Sequence, residues 1–282
     1  MGLAVTERLV ELGWNVTIVD FNAPKGEAVA SRLGPQVLFV KANVANWDQL
    51  SKSFVESWQK WGRLDFATDV TCQGIGDRID WYAPAKELPD GSPEKPDTLV
   101  ADICLTSPVW CSYLGMHYFR KNAKPGGRIV FTSSQCGLYP GPSIPIYTAA
   151  KHGVVGLTRA MGARLEQLKE PITVNCICPG LVPTNIMPEA ISNATPPEFV
   201  TPLSTIVRAV EGFFADEEGK YQGQVAECSG ESIVMRPQNE YKDDATRYIY
   251  SDSAYAKADR EQVMKELLEK RAELAQSIAS VA

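Results

Sequence analysis

From Gly126 to about Leu168 the sequence leaves little freedom of fold. Gly126-Gly127 is a turn feeding Arg-Ile-Val-Phe-Thr, an apolar, β-branched run that ends in two hydroxyls, Ser133-Ser134. Such a run reads as a buried parallel strand that delivers side chains at its carboxyl end. Ile146 to about Leu168 then shows a long amphipathic helical pattern, with Val154, Val155, Leu157, Met161 and Leu165 among its apolar positions. Strand followed by helix points to an α/β core, and 282 residues at 44% hydrophobic content suffice to bury one.

The helix opens on Tyr147 and carries Lys151 four residues later, so both side chains share one face. A phenol is a poor base at neutral pH, and an ammonium beside it in a partly desolvated pocket favours the ionised form. Ser134, thirteen positions before the tyrosine, supplies a hydroxyl to hold a substrate oxygen near Tyr147. Together the three residues make a proton-transfer site for alcohol and carbonyl chemistry. The spacing alone is weak evidence, because Tyr82-Ala-Pro-Ala-Lys86 repeats it. Pro84 argues against a helix there, and Asp69 stands where a serine would be needed. The bland alternative for Tyr147 is a half-buried helix tyrosine beside a solvated lysine.

Toward the amino terminus, Leu3 to Leu12 has helical periodicity and Asn15 to Asp20 is a short β-branched strand ending in an acid. An aspartate there can accept both ribose hydroxyls of NAD and repel the extra phosphate of NADP, which favours NAD. It can equally cap a turn around Asn22-Ala23-Pro24. Val37 to Val40 is the next strand.

Over roughly residues 2–230 these features resemble the short-chain dehydrogenase/reductase family, most of all the branch with 15-hydroxyprostaglandin dehydrogenase and its fungal relatives. The resemblance implies a Rossmann-like, doubly wound parallel sheet and a catalytic triad of Ser134, Tyr147 and Lys151. It implies that Asn175 to Thr184 packs beside the nicotinamide, with the Val182 backbone and Thr184 on the carboxamide and Lys151 also on the ribose. Asn43-Val44 stands where relatives carry Asp-Val against the adenine, and Gly2 matches the last glycine of the phosphate-binding loop. A homodimer or homotetramer packed through helices near 98–122 and 146–168 is implied too, as is a place in secondary metabolism.

Three positions depart from the family pattern. The first strand and the glycine-rich loop are largely absent, so the expectation is that another segment fills the sheet's centre or that the natural protein begins upstream. Unfilled, that position would strand backbone groups at about 1–3 kcal/mol each, against a stability of about 5–15 kcal/mol. Cys72-Gln73-Gly74 replaces Asn-Ala-Gly two residues late, leaving Gly74 as the matching cofactor-contact residue. Cys104 stands where an asparagine usually helps a water link the lysine to solvent, and a thiol is a poor substitute.

A net charge of -6 argues against a nucleic-acid surface. No run of about eighteen apolar residues and no signal-type leader is present, so a cytoplasmic, non-membrane setting is the expectation. The seven cysteines, at 72, 104, 111, 136, 176, 178 and 228, read as reduced core thiols. Cys176-Ile-Cys178 reads as two thiols on opposite strand faces, and with only His117 and His152 as histidines no metal site is expected. His152 suits a surface or interface role.

Residues 83 to 97 form a polar, proline-rich loop, read as a surface connection that could border the substrate entrance. Asn185 to Pro202 is the candidate substrate lid, and its apolar content favours a hydrophobic, non-phosphorylated substrate. Gly223 to Gly230 reads as the last strand, closing a first domain at 1–230. Residues 231–282 form an extension with a helix over Arg260 to Ile278, either a clamp on a neighbouring subunit or the cleft, or a solvated helix on its own domain. The leading functional reading is an NAD-dependent oxidoreductase acting on a secondary alcohol or ketone. The alternative is a redox-silent member of the fold that keeps the acid/base apparatus as a cyclase, isomerase, dehydratase or binding protein.

Overall fold

The computed structural model describes residues 1–69, 76–184, 193–216, 218–250 and 260–279. They fall in two compact units, Met1–Pro237 and Gln238–Ala282.

In the first unit, helix α1 (Gly2–Glu11) leads into β1 (Val16–Asp20), α2 (Ala23–Leu33), β2 (Val37–Lys41) and α3 (Trp47–Trp61). Local capping sets these boundaries. Asn22 Oδ1 accepts from Lys25 N ahead of α2, and Asn46 Oδ1 accepts from Gln49 N at 3.0 Å ahead of α3. Gly62, in the left-handed region at φ 69°, ends α3. β3 (Phe66–Asp69), the long helix α4 (Leu99–Phe119), β4 (Gly127–Thr132), α5 (Pro145–Leu168), β5 (Ile172–Pro179), α6 (Leu203–Phe214), β6 (Val225–Ser229) and β7 (Ser232–Met235) follow.

β1 and β2 pair in parallel, and β3-β4-β5-β6 form a second parallel array to which β7 adds an antiparallel edge. The short hairpin partner β7 carries the sheet past residue 230. Its alternation is masked by exposure on both faces, so only β6 is legible in the sequence. Among the described residues no strand lies between β1 and β3. Trp14, just ahead of β1, meets Phe66 of β3 edge-on at 6.4 Å and Phe214 of α6 at 5.6 Å, and Trp61 Nε1 of α3 donates to Thr17 Oγ1 of β1 at 3.0 Å.

The larger sheet has helices on both faces, as a doubly wound α/β fold requires. Val130 and Ile177 pack with Val5 and Leu9 of α1 and with Ile206 and Phe213 of α6. Their neighbours Ile129, Phe131, Val174 and Cys176 pack with Phe119 of α4 and with Val154 and Leu165 of α5. Cys176 and Cys178 both lie on this second side. Positions two apart on a strand share a face, so the expectation of opposite faces for the two thiols is wrong.

α4 is long and apolar enough to span a membrane by length and composition, with a mean hydropathy of 1.3. It is also a core helix, burying Ser107, Ser112, Leu114, Gly115, Tyr118 and Phe119. Its fourth to eighth residues form a π turn, Asp102–Thr106, with Cys104 fully buried at the middle. In the second unit, α8 (Arg260–Ala279) is helical as the pattern predicts, with Met264, Leu267, Leu268 and Leu274 exposed, and a short helix the pattern does not announce, α7 (Asp244–Tyr250), precedes it.

Arg8 of α1 reaches Glu211 of α6 through two bonds, Nε to Oε2 at 2.9 Å and Nη2 to Oε1 at 2.7 Å. The bond from Arg8 holds Glu211 below the usual carboxylate range. A folded-state value below the unfolded one gives stability that is present above the unfolded value and lost as pH falls through the folded one. Glu211→Gln should therefore lower the melting temperature at neutral pH, with the deficit shrinking as the pH drops below about 4.5. Thermal melts across that range check it.

Candidate active site

At the carboxyl end of β4 the chain leaves the sheet through Ser133 and Ser134 into a 3-10 turn, Gln135–Gly137. Ser134 caps this turn, its Oγ accepting from Cys136 N at 3.1 Å, which leaves the hydroxyl proton to be donated elsewhere. α5 then runs back along the sheet with Tyr147 in its first turn.

Lys151 is buried completely. Its Nζ donates to the Thr132 carbonyl oxygen at 2.8 Å and lies 5.4 Å from the centroid of the Tyr147 ring. The contact is locked from the other direction by Ser133, whose Oγ donates to the Lys151 carbonyl oxygen at 2.9 Å. Thus the end of β4 and the first turns of α5 are cross-tied by one side-chain bond each way. The structure brings the predicted Ser134, Tyr147 and Lys151 to one place, whereas Tyr82 and Lys86 lie in an irregular loop. There Tyr82 OH donates to Pro142 O at 2.6 Å and Lys86 pairs with Glu94 at 3.2 Å.

Beneath the triad lies Cys178 of β5. Its thiol is held below its ordinary value, first by a hydrogen bond with Cys176, then by Ser133, the Ser134 backbone N–H and the Lys151 charge, against the opposing effect of burial. Cys104 packs with Val100 and Ala150 against Tyr147 and Ile146, so the thiol that replaces the usual asparagine lines the tyrosine's own surroundings.

A buried carboxylate missed by the sequence reading organises the turn after Ser134. Glu227 of β6 accepts from Gln135 Nε2 at 2.8 Å and from Tyr139 OH at 3.1 Å, and it is paired with Arg236, just past the end of β7. Gln135 also abuts Gly180, where an added Cβ would sit 3.0 Å from its Oε1. The same network therefore reaches the start of the segment expected beside a nicotinamide.

Of the predicted cofactor residues, Asp20, Asn43, Val44, Val182 and Thr184 lie at or just past the carboxyl ends of β1, β2 and β5. Asp20 is exposed at the end of β1, with Oδ1 accepting from Asn22 N at 2.8 Å, so the turn-capping role is real and occupies one of its two oxygens. Asn43 is exposed after β2, its Oδ1 accepting from Ala45 N at 3.0 Å, and Val44 is half-buried. Val182 is buried within the α1/α6 core and Thr184 is half-buried. Gly2 lies in the first turn of α1, whose N-cap, Met1, makes no side-chain cap bond. Gly74, with Cys72 and Gln73, lies outside the described residues, as do positions 185–192 of the expected lid. The described end of that segment returns to the site at Thr201, whose N–H donates to Leu181 O at 2.7 Å.

These residues fit a nicotinamide dinucleotide at its nucleoside ends. Among the described residues Thr132 Oγ1 has no hydrogen-bond partner; it lies on the same strand face as Val130, and the carbonyl of the same residue is the acceptor of Lys151.

Residues 1–194 match the family described as short chain dehydrogenase. The chain is 33% identical to the short-chain dehydrogenase/reductase prx6 of Penicillium rubens, over 83% of this chain and 78% of that protein. It is 34% identical to the NAD(+)-linked 15-hydroxyprostaglandin dehydrogenase of Rattus norvegicus, over 66% of each. Among solved structures, 3-hydroxyacyl-CoA dehydrogenase type-2 from Mycobacterium avium superposes with a TM-score of 0.66 at 29% identity, covering 84% of this chain and 92% of that one.

Gly137 lies where β4's exit meets α5, and a Cβ there would run into Ser133 Oγ and sit 2.8 Å from the Lys151 carbonyl oxygen. Gly137→Ala should cost about 1–3 kcal/mol through overpacking. Gly156→Ala, on an open face of the same helix, should stabilise by up to about 1 kcal/mol. Urea unfolding midpoints of the two variants give the comparison.

Proposed function

The chain belongs to the short-chain dehydrogenase/reductase family of NAD(P)-dependent oxidoreductases, and on that premise we propose that it moves a hydride between NAD and a secondary alcohol or ketone of a hydrophobic small molecule. The observation that carries this reading is the buried Lys151 ammonium tied to the end of β4 beneath the Tyr147 ring, with Ser134 two residues past the lysine's acceptor. The bound nicotinamide supplies or accepts the hydride.

The chain's own residues handle the proton and the oxygen. Ser134 donates its hydroxyl hydrogen to the substrate oxygen, the capping bond from Cys136 N having fixed the lone pairs away from the cleft. Tyr147 donates a proton to that oxygen in the ketone direction and removes it in the alcohol direction, while Lys151 supplies the positive charge that suits a phenolate. Charge developing on the oxygen is stabilised by both donors. Asp20 would hold the ribose hydroxyls, Asn43 and Val44 the adenine side, Val182 and Thr184 the carboxamide side.

The support for NAD over NADP is the exposed Asp20 carboxylate, which would lie against a ribose phosphate with like charge. The likeness to an NAD(+)-linked dehydrogenase points the same way. A cytoplasmic homodimer or homotetramer packed through α4 and α5 is part of the same reading, as is secondary metabolism. A redox-silent role is the second reading, favoured by Cys104, buried at the π turn where the asparagine of the proton relay is expected.

Fluorescence titration of the purified chain with NADH and NADPH separates the two: NADH should bind and NADPH more weakly, and a folded chain that binds neither would sink the oxidoreductase reading. In Asp20→Ala the preference should narrow; an unchanged ratio would remove Asp20 from the cofactor site. Tyr147→Phe should reduce turnover of hydrophobic secondary alcohols with NAD by at least about a hundredfold.

A further inference from the structure

The start of α5 has backbone donors that its own sequence does not satisfy. Its N-cap, Ile144, offers no side-chain oxygen, and Pro145 has no N–H, so the first donors are those of Ile146 and Tyr147. One distant residue takes both. Asp77 Oδ2 accepts from Ile146 N at 2.9 Å and Oδ1 accepts from Tyr147 N at 2.8 Å, across sequence separations of 69 and 70 residues.

Further bonds fasten the loop that carries Asp77. Tyr82 OH donates to Pro142 O at 2.6 Å, just ahead of α5. At the loop's far end Arg78 pairs with Asp97 at 2.9 Å, and Asp97 Oδ1 accepts from Leu99 N at 3.0 Å at the start of α4. Residues 77, 78 and 82 together with Asp97 therefore strap the beginnings of α5 and α4, while the proline-rich stretch within 83–97 runs over the surface, as a plain connection would.

We propose that Asp77 is the positioning residue for Tyr147, fixing the first turn of α5 and setting a negative charge against the Lys151 cation at the phenol. This rests on the acid/base reading of Tyr147. A carboxylate suits the place because each oxygen serves one donor and its charge complements a helix amino terminus. Among the described residues, Lys151 of α5 lies against the Tyr147 ring, the Cys104 thiol of α4 packs beside it, Asp77 of the strap meets its backbone N–H, and Cys178 of β5 lies beyond the lysine. A cation at the ring favours the phenolate and a carboxylate at the same residue opposes it.

Tyrosinate difference absorbance of the full chain tests this without any substrate. The step missing in Tyr147→Phe identifies the residue. In Asp77→Asn, which keeps an acceptor oxygen for the helix, that step should move to lower pH by about half a unit or more, and at least as far in Asp77→Ala. Tyr82→Phe, which loosens the strap but keeps the charge, should leave it in place. Amide exchange at Ile146 and Tyr147 should quicken by about tenfold or more in Asp77→Ala while Val154 and Val155 stay protected. A stationary step in both Asp77 variants, or unchanged exchange, overturns the proposal. A wild-type chain that turns over no alcohol would overturn the oxidoreductase reading and leave this result standing.

Discussion

The Lys151 ammonium is withdrawn from solvent, and a charge in that position costs several kcal/mol of desolvation unless the fold surrounds it with acceptors. One acceptor is the Thr132 carbonyl, the last of β4, so the cation fixes both how far α5 slides along the strand and how it is rotated about its own axis. The Ser133 bond to the Lys151 carbonyl repeats the constraint in the opposite sense. Gly137 is a glycine because these two bonds draw backbone onto backbone. A tyrosine one helical turn before a lysine so placed has little choice about where its ring lies.

Much of this was legible beforehand because it is local. Gly126-Gly127, the β-branched run, the hydroxyl pair and the four-residue spacing of Tyr147 and Lys151 all lie within one strand and one helix, where periods of 2.0 and 3.6 translate directly into faces. Pro84 correctly excluded the second tyrosine–lysine pair for the same local reason. What the sequence hid is long-range: Asp77 acts on α5 across a span that no periodicity connects, and Glu227, with Arg236 beside it, joins Gln135 and Tyr139 from a turn about ninety residues earlier. β7 escaped notice because a four-residue edge strand with little burial carries almost no apolar pattern.

Two acids stand on either side of the Ser134, Tyr147 and Lys151 group in this arrangement, the buried Glu227 ordering the turn after Ser134 and the half-buried Asp77 the start of α5. Each is engaged by donors of the protein itself: Asp77 by two backbone N–H groups, Glu227 by an amide, a phenol and a guanidinium. Through Gln135 and its close approach to Gly180, the Glu227 network also ties the turn after Ser134 to the segment that follows β5.

The division of the sheet leaves helix α1 as a bridge between its two parts. Val5 and Leu9 of α1 share a core cluster with Val130 and Ile177 of the larger sheet, and Val16 of β1 packs against that same cluster. The same helix pairs Arg8 with Glu211 of α6 and Glu7 with Arg32 of α2. A cavity opened at Val5 or Leu9 would therefore be felt by both ladders at once.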